Sequence, residues 1–179
     1  MTPAEIYQPA EDSYLLSEVL RKIKINKDDK ILDMGSGSGI QAKTILSLGI
    51  NKKNIFCADI NKKAIGHCKK LGFNSIHSNL FHKISKKQKF NIIIFNPPYL
   101  PENEDEPQDS RLATTGGKYG SEVINKFLKQ ATGHLEKDGK IFLLTSNHTK
   151  KIHWNNFKKK KLAEKNLFFE KLYVWELRM

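Results

Sequence analysis

The residues most able to do chemistry form a short motif, Asn96-Pro97-Pro98-Tyr99, directly after an apolar run at residues 90–95. The run is typical of a buried strand, and the prolines end it because proline cannot donate to a sheet. Ligands of open α/β sheets bind at the carboxyl ends of strands. There, the Asn96 side-chain oxygen and a backbone carbonyl could accept both hydrogens of a planar –NH2 group, with an aromatic ring packed on its face. The alternative is a strand terminator followed by a surface tyrosine.

A glycine-rich turn follows an earlier predicted strand. Asp33 precedes it, and Gly35 and Gly37 let the backbone approach a ligand closely at the start of the next helix. The spacing is not the G-x-G-x-x-G fingerprint of dinucleotide-binding folds, and an acid before the turn suits a cationic or amino-bearing ligand. Asp59 ends the second predicted strand, where a carboxylate can accept both hydroxyls of a ribose. Asp59 could also cap the helix that starts near Asn61.

Strands and helices alternate along the chain, which predicts a doubly wound, mostly parallel α/β sheet. Helices are predicted at residues 11–24, 39–48, 61–70 and 120–135. Strands are predicted at residues 30–34, 54–59, 73–77, 90–95, 140–145 and 167–177. The stretch 147–166 must hold a further helix and strand if the pattern continues. It is short for both, so one of them is expected to be shortened.

The composition predicts one globular domain over residues 1–179, with 39% hydrophobic and 28% charged residues. No apolar stretch is long enough to cross a membrane, and the N-terminus has neither the basic start nor the apolar core of a signal peptide. Cys57 and Cys68 are expected to be reduced core thiols, which favours the cytoplasm. The six histidines lack metal-ligand spacing, so no metal is expected.

The net charge of +12 suggests an anionic partner such as nucleic acid. However, only three of the 31 basic residues are arginine, the residue best suited to bidentate recognition of phosphates and bases. The lysines are also scattered along the chain. The charge therefore supports a nucleic-acid partner only weakly.

Three features resemble class I methyltransferases that use S-adenosylmethionine: the acid before the turn, the glycine turn itself and the acid that ends the second predicted strand. The turn also has no Walker lysine. The resemblance implies a Rossmann-like three-layer sandwich with a mostly parallel seven-stranded sheet and an antiparallel edge strand. It also implies that the glycine turn faces the methionine part of the cofactor and that Asp59 binds the ribose. Asn79, with Leu80 beside it, stands where relatives often carry an acid that accepts from the adenine amine. The alternative for Asn79 is an ordinary turn residue.

An NPPY motif in this position marks methyltransferases that act on a planar nitrogen, either a glutamine amide or an exocyclic amine of a base. The segment Tyr7–Ser13 resembles the Y-x-P-A-E-D-[ST] segment of the small archaeal and eukaryotic HemK-like release-factor glutamine methyltransferases. Residues 116–123 resemble the same family's GG-x-x-G-x-x-V step into a helix, and residues 168–174 its closing strand. The alternative for the first segment is a helix cap with a proline before it.

The resemblance assigns roles to single residues. It implies catalytic roles for Asn96, Pro97 and Tyr99, and it adds Pro98 and Leu100 to the substrate-binding residues. The cofactor-binding residues that it implies are Ser13, Asp33, Gly35, Gly37, Asp59, Asn79, Leu80 and Asn96.

The implied substrate is the glutamine of the Gly-Gly-Gln motif in a class 1 release factor, and a small zinc-binding activator is a possible partner. The acidic loop at residues 102–109 could receive a basic protein or could simply be solvated. One alternative is an adenine-amine methyltransferase acting on DNA or RNA, against which no target-recognition region is found. Another is a non-catalytic nucleic-acid-binding module, against which the intact site residues argue.

Overall fold

The computed structural model describes residues 6–103 and 108–179, and only the backbone of residues 108–110. The helices of this part are α1 (Glu11–Leu20), α2 (Ile40–Ser47), α3 (Lys62–Lys70), α4 (Gln108–Thr114) and α5 (Glu122–Ala131), with a 3-10 turn at Lys52–Asn54. The strands are β1 (Ile31–Met34), β2 (Ile55–Asp59), β3 (Asn74–His77), β4 (Phe90–Phe95), β5 (Leu135–Ser146), β6 (Lys158–Asn166) and β7 (Lys171–Arg178).

The described strands form one sheet in the order β3-β2-β1-β4-β5-β7-β6. The first five strands pair in parallel, and β7 runs antiparallel to both β5 and β6. The antiparallel pairings therefore lie at the β6 end of the sheet. The expected class I methyltransferase architecture, with a mostly parallel seven-stranded sheet, is confirmed.

The two faces of the sheet carry separate apolar clusters, because side chains alternate along each strand. In β1, Ile31 belongs to the cluster shared with α1 and α2, whereas Leu32 and Met34 belong to the cluster shared with α5. In β4, Ile94 faces the first cluster and Phe95 the second. By the same alternation, residues 33 and 96 fall on the α1 and α2 side of the sheet.

Several predicted element boundaries were wrong for identifiable physical reasons. Helix α1 ends at Leu20 rather than at residue 24, because its last turn tightens into i to i−3 hydrogen bonds. Helix α5 begins at Glu122 because Gly120 has a positive φ of 75°, which a helix cannot contain. Strand β5 begins at Leu135, predicted as the end of that helix, because Leu135 pairs with Phe90.

Of the helix and strand expected between β5 and β6, the helix is the element affected by the expected shortening. Within the described residues 147–157 no helix forms, and Lys151 and Asn155 have positive φ angles of 56° and 51° that interrupt helical geometry. Trp154 packs against Trp175 of β7, with ring centroids 5.3 Å apart, and Phe157 is buried. Aromatic side chains therefore cover this part of the sheet.

Two further elements differ from the sequence prediction. Helix α4 was not predicted, and part of the acidic loop, residues 104–107, lies outside the described residues. Residues 167–170, predicted as the start of the last strand, form the turn of the β6–β7 hairpin, closed by the Leu167 amide donating to the Glu170 carbonyl. The described residues contain no helix of sufficient length and apolarity to cross a membrane. Cys57 and Cys68 are free and buried, as predicted.

Candidate active site

A cavity of about 1250 Å³ opens at the carboxyl ends of the parallel strands. Most of the predicted site residues line it: Ser13, Gly35, Gly37, Asp59, Asn79, Leu80, Asn96, Pro97 and Pro98. The structure therefore brings together residues from the N-terminal segment, from three strand ends and from the motif after β4. Asp33, Tyr99 and Leu100 do not line this cavity.

The glycine turn after β1 forms one wall and depends on left-handed backbone. Gly35, Gly37 and Gly39 have φ angles of 64°, 49° and 72°, which side chains with a Cβ rarely adopt. A Cβ on Gly35 would also lie 3.1 Å from the ring of Phe95. The Gly35 amide donates to the Ala58 carbonyl over 2.7 Å, which fixes the turn against β2. The turn consequently brings its backbone close to the cavity, which Gly35 and Gly37 line together with Ser36 and Ser38.

Asp59 at the end of β2 holds this turn in place. One of its carboxylate oxygens accepts from the Gly37 amide and the other from the Asn61 amide, each over 2.8 Å. Burial raises the pKa of Asp59, and these amide hydrogen bonds oppose the shift. The N-cap of α3 is Asn61, whose side chain accepts from the Lys63 amide. Asn61 rather than Asp59 therefore caps α3, and Asp59 lines the cavity.

Asp33 lies beneath the turn and is only 1% exposed. Its carboxylate accepts from the Ala42 amide in the first turn of α2, over 3.1 Å. Burial is the main reason why the pKa of Asp33 lies well above its usual range. The position suits a residue that fixes α2 to β1.

The two halves of the Asn96 side-chain amide differ in their hydrogen bonding. Its Nδ2 donates to Asp12 Oδ2 over 3.0 Å and lies 3.4 Å from Ser13 Oγ. The Tyr7 hydroxyl donates to the same Asp12 carboxylate, at 3.1 and 3.2 Å from its two oxygens. Asn96 Oδ1 is buried and has no hydrogen-bond partner among the described residues. Because Asp12 accepts only from the –NH2 half of the amide, the oxygen must point away from it as an unused acceptor.

Tyr99, the last residue of the motif, contacts several other parts of the chain. The hydroxyl lies by Asp12, and burial, followed by the charges of Asp12 and Glu170, raises the pKa of Tyr99. Its carbonyl accepts from Thr149 Oγ1 over 2.9 Å. The ring packs against both apolar clusters rather than into the cavity. The predicted packing of Tyr99 on a substrate group therefore stays a prediction.

The segment at residues 114–120 braces the backbone of the motif. The Leu100 amide donates to the Thr114 carbonyl, and the Leu100 carbonyl accepts from the Gly116 amide, each over 2.9 Å. A Cβ on Gly116 would lie 2.6 Å from the Pro98 carbonyl oxygen, and one on Gly120 only 2.3 Å from the Tyr99 carbonyl oxygen. Glycine is required at both positions because the two backbones touch.

Asn79 and Leu80 line the cavity in the turn after β3. Leu80 has a positive φ of 48°, and its carbonyl accepts from Ser78 Oγ over 2.7 Å. The Lys83 amide donates to the same hydroxyl. The turn is thus built around Ser78, which leaves Asn79 on the cavity side, where its predicted role stays a prediction.

Sequence reasoning missed Tyr7 and Asp12 as individual site residues, although the motif that contains them was recognised. Asp12 is 6% exposed and joins Tyr7 to Asn96. Helix α1 reaches this position because Gln41 of α2 donates to the Ser13 carbonyl and accepts from Ser17 Oγ, each over 2.9 Å. The acid at residue 12 marked a candidate hydrogen-bond acceptor, but nothing in the sequence paired it with Asn96. The described residues contain no group of three His, Cys, Asp or Glu side chains that could hold a metal ion.

Comparison with known proteins places this site in a family. The family model described as methyltransferase small domain matches residues 11–170. A Methanocaldococcus jannaschii protein, named as a candidate protein N5-glutamine methyltransferase, is 36% identical over 97% of this chain and 93% of its own. The eRF1 methyltransferase catalytic subunit mtq2 of Schizosaccharomyces pombe is 29% identical over 83% of this chain and 75% of its own.

A solved structure shows the same fold. It is the E. cuniculi Mtq2–Trm112 complex, described as responsible for methylation of the translation termination factor eRF1. It matches with a TM-score of 0.76 and 22% identity, covering 96% of this chain and 97% of the other. These matches confirm the resemblance seen in the sequence motifs. The chain belongs to the methyltransferase small domain family, among its HemK-like members.

Proposed function

We propose that the protein transfers a methyl group from S-adenosylmethionine to the side-chain nitrogen of the glutamine in the Gly-Gly-Gln motif of a class 1 release factor. The observation that carries the proposal is the side chain of Asn96, a residue of the cavity lining: Asp12 holds its Nδ2 group, and its buried Oδ1 has no hydrogen-bond partner among the described residues. An unpaired buried acceptor is costly, so its presence indicates a donor that arrives with the substrate.

A primary amide supplies the donor that this acceptor requires. Its two N–H groups can be taken by Asn96 Oδ1 and by the Pro97 carbonyl, the pair of acceptors predicted from the sequence. The nitrogen is a weak nucleophile because its lone pair is delocalised. Two fixed acceptors hold the nitrogen in one orientation and stabilise the positive charge that develops on it. No general base is needed before the transfer, since the proton becomes acidic as the new bond forms.

The residues present also fit the cofactor. Asp59 lines the cavity with a carboxylate suited to ribose hydroxyls, and the Gly35–Gly37 turn presents backbone there. Asn79 offers a side-chain acceptor for an adenine amine, and Leu80 and Ile60 offer apolar wall. When bound, the cofactor supplies an activated methyl group on a sulfonium. A ligand that carries positive charge would favour the ionised forms of the two buried carboxyl groups, Asp33 and Asp59.

The substrate and partner rest on the relatives. The fission yeast relative is named for eRF1, and the E. cuniculi structure contains a second protein, Trm112. We extend both features to this chain: a release factor as substrate and a small activator subunit, with zinc in that activator, as partner. A single catalytic domain over residues 1–179 and a cytoplasmic location complete the proposal. A role for the acidic loop at residues 102–109 falls largely on residues outside the described part.

The test is a transfer assay with radiolabelled S-adenosylmethionine, run with and without an activator of the Trm112 type. The substrates are the release factor, its variant with the Gly-Gly-Gln glutamine changed to alanine, and unmodified DNA and RNA. Label on the release factor, absent from the alanine variant, is the expected result. Label on nucleic acid alone would replace the proposal by adenine-amine methylation. No label under any condition would leave a binding module as the better description.

A further inference from the structure

The β6–β7 hairpin ends in the two most exposed large apolar side chains among the described residues. Phe168 is 100% exposed and Phe169 is 90% exposed. Their ring centroids lie 6.2 Å apart, so the two rings form one projecting pair. Exposing two large aromatic rings side by side has a free-energy cost in water that burial in a complex removes. At this exposure neither ring packs into the core, so the fold of the chain does not account for phenylalanine here.

The hairpin tip is fixed to the active site through a short series of contacts. The Phe169 carbonyl lies 2.7 Å from His148 Nε2, and the next residue, Thr149, donates to the Tyr99 carbonyl. Asn147 is joined to Lys171 at the base of the tip by two hydrogen bonds of 2.8 and 2.9 Å. The segment 147–149 therefore connects the Phe pair directly to the NPPY motif.

A second connection runs through helix α1. Lys165, just before the tip, forms an ion pair with Glu11, the neighbour of Asp12. The pKa of Tyr7 is raised by burial, then by Asp12 and then by the charge of Glu170. The Glu170 carboxylate therefore lies within electrostatic reach of the cavity, which Tyr7 lines. The Phe pair thus stands beside the edge of the sheet where Asn96 must receive its substrate.

We propose that Phe168 and Phe169 are a docking anchor for the folded release factor, outside the cavity that receives its glutamine. The inference rests on the proposed function and adds a protein-recognition surface to it. A glutamine side chain that reaches Asn96 brings the surface of its own protein against this edge of the sheet. Aromatic anchors that become buried in an interface commonly carry a large share of its binding free energy. The partner that we assign to the Phe pair is therefore the protein substrate, and an activator subunit or a second copy of this chain is an alternative that the experiment separates from it.

The experiment compares wild type with the double variant Phe168→Ser/Phe169→Ser in two methyl-transfer assays. One assay uses the whole release factor and the other a short peptide containing Gly-Gly-Gln. The expected result is a KM for the whole release factor raised roughly 10- to 100-fold, with kcat nearly unchanged and kcat/KM for the peptide unchanged. The matched control is Met179→Ser, which alters a 50% exposed apolar residue directly after β7, at the opposite end of that strand.

The possible outcomes separate the two proposals. If wild type labels the release factor and the double variant has the same kcat/KM on it, the docking anchor is refuted and the proposed function stands. An equal loss on protein and peptide would also refute the anchor, because the effect would then lie within the cavity or on an activator subunit that both reactions need. A wild-type dimer that becomes monomeric in the variant, measured by sedimentation, would assign the pair to self-association instead. If wild type labels no release factor, the proposed function itself fails.

Discussion

At the scale of single residues, the Asn96 amide is divided between the protein and the substrate. Its –NH2 half is held by Asp12, and its oxygen is buried without a partner among the described residues. Removing the side chain should therefore abolish substrate orientation while leaving the cofactor's own contacts in place. We expect Asn96→Ala to lower kcat by roughly 100- to 1000-fold and to change cofactor affinity little.

The measurement pairs single-turnover methyl transfer with titration calorimetry of S-adenosylmethionine. Asn26→Ala, an exposed asparagine in the turn before β1, is the matched control and should behave as wild type. A large loss of cofactor affinity in Asn96→Ala would mean that Asn96 serves the cofactor rather than the amide.

Asp12 gives a second prediction, because it holds the –NH2 half of the Asn96 amide and so fixes the orientation of that side chain. Asp12→Asn replaces one acceptor oxygen by a donor, so the Asn96 amide loses its preference for one rotamer. We expect kcat to fall roughly 10- to 100-fold, since a hydrogen bond to a charged group contributes about 1.5–3 kcal/mol. Asp28→Asn, the same change at an exposed aspartate in the turn before β1, is the control. Unchanged kcat in Asp12→Asn would show that Ser13 and the packing alone orient Asn96.

The buried carboxylates predict a pH dependence of cofactor binding. The pKa values of Asp33 and Asp59 lie above the usual 3.8, mainly through burial, so the folded protein retains these protons more than the unfolded chain does. The free energy of unfolding of the cofactor-free protein consequently falls as pH rises from the usual value through the raised pKa. A cationic ligand favours the ionised carboxylates. Binding should therefore release protons, and affinity should increase with pH over the same window.

Calorimetry in two buffers of different ionisation enthalpy, between about pH 5 and about pH 8, measures this proton release. S-adenosylhomocysteine, which lacks the sulfonium charge, should release fewer protons, and Asp33→Asn should remove part of the release. Equal release by both ligands would contradict an electrostatic role for the two carboxylates.

At the scale of elements, the turn at residues 114–120 determines where the NPPY backbone lies. Gly116→Ala would place a Cβ 2.3 Å from the Gly120 carbonyl oxygen and 2.6 Å from that of Pro98, so one of the two backbones must move. We expect a stability loss of about 1–3 kcal/mol and at least a roughly tenfold loss of kcat, because the motif is displaced. Thermal melting and transfer rates at a temperature where the variant is folded provide the measurement.

Gly66→Ala is the matched control for this prediction. Gly66 lies within α3, and no described heavy atom outside the helix's own nearby backbone lies within 4 Å of the position that an added methyl group would take. The change should stabilise the helix by roughly 0.5–1 kcal/mol and leave the rate unchanged. If Gly116→Ala were equally harmless, the bracing of the motif by this turn would be wrong.

The elements also show which features of the site the sequence could predict. Asp59 ends a buried strand, and Gly35, Gly37 and Asn96 follow buried strands, so their convergence at one edge of a parallel sheet follows from the fold class. The contact of Asn96 with Asp12 spans 84 residues and depends on how α1 docks, for which no local pattern exists. Aromatic side chains at residues 168 and 169 predicted strand because they favour sheets, yet here they form a hairpin tip.

At the scale of the whole molecule, four of the lysines share one location, an edge strand of the sheet. The run Lys158–Lys161 begins β6, which lies at the end of the sheet and pairs only with β7 among the described strands. Lys159 lies over the rings of Trp154 and Trp175, whereas Lys158 and Lys160 are exposed and share the other face of the strand. Lysine on an edge strand discourages pairing with another chain. The run therefore has a structural reason that does not involve nucleic acid.

This reason leads to a prediction about association. Lys158→Thr/Lys160→Thr removes two edge lysines and introduces residues that favour strands, so the open edge should pair more readily with a second molecule. We expect concentration-dependent light scattering to rise while methyl transfer at low concentration stays unchanged. Lys86→Thr/Lys87→Thr, on exposed residues in the turn before β4, removes the same charge away from the edge and should not associate. Equal association of both double variants would assign the effect to net charge, because only the edge position distinguishes them.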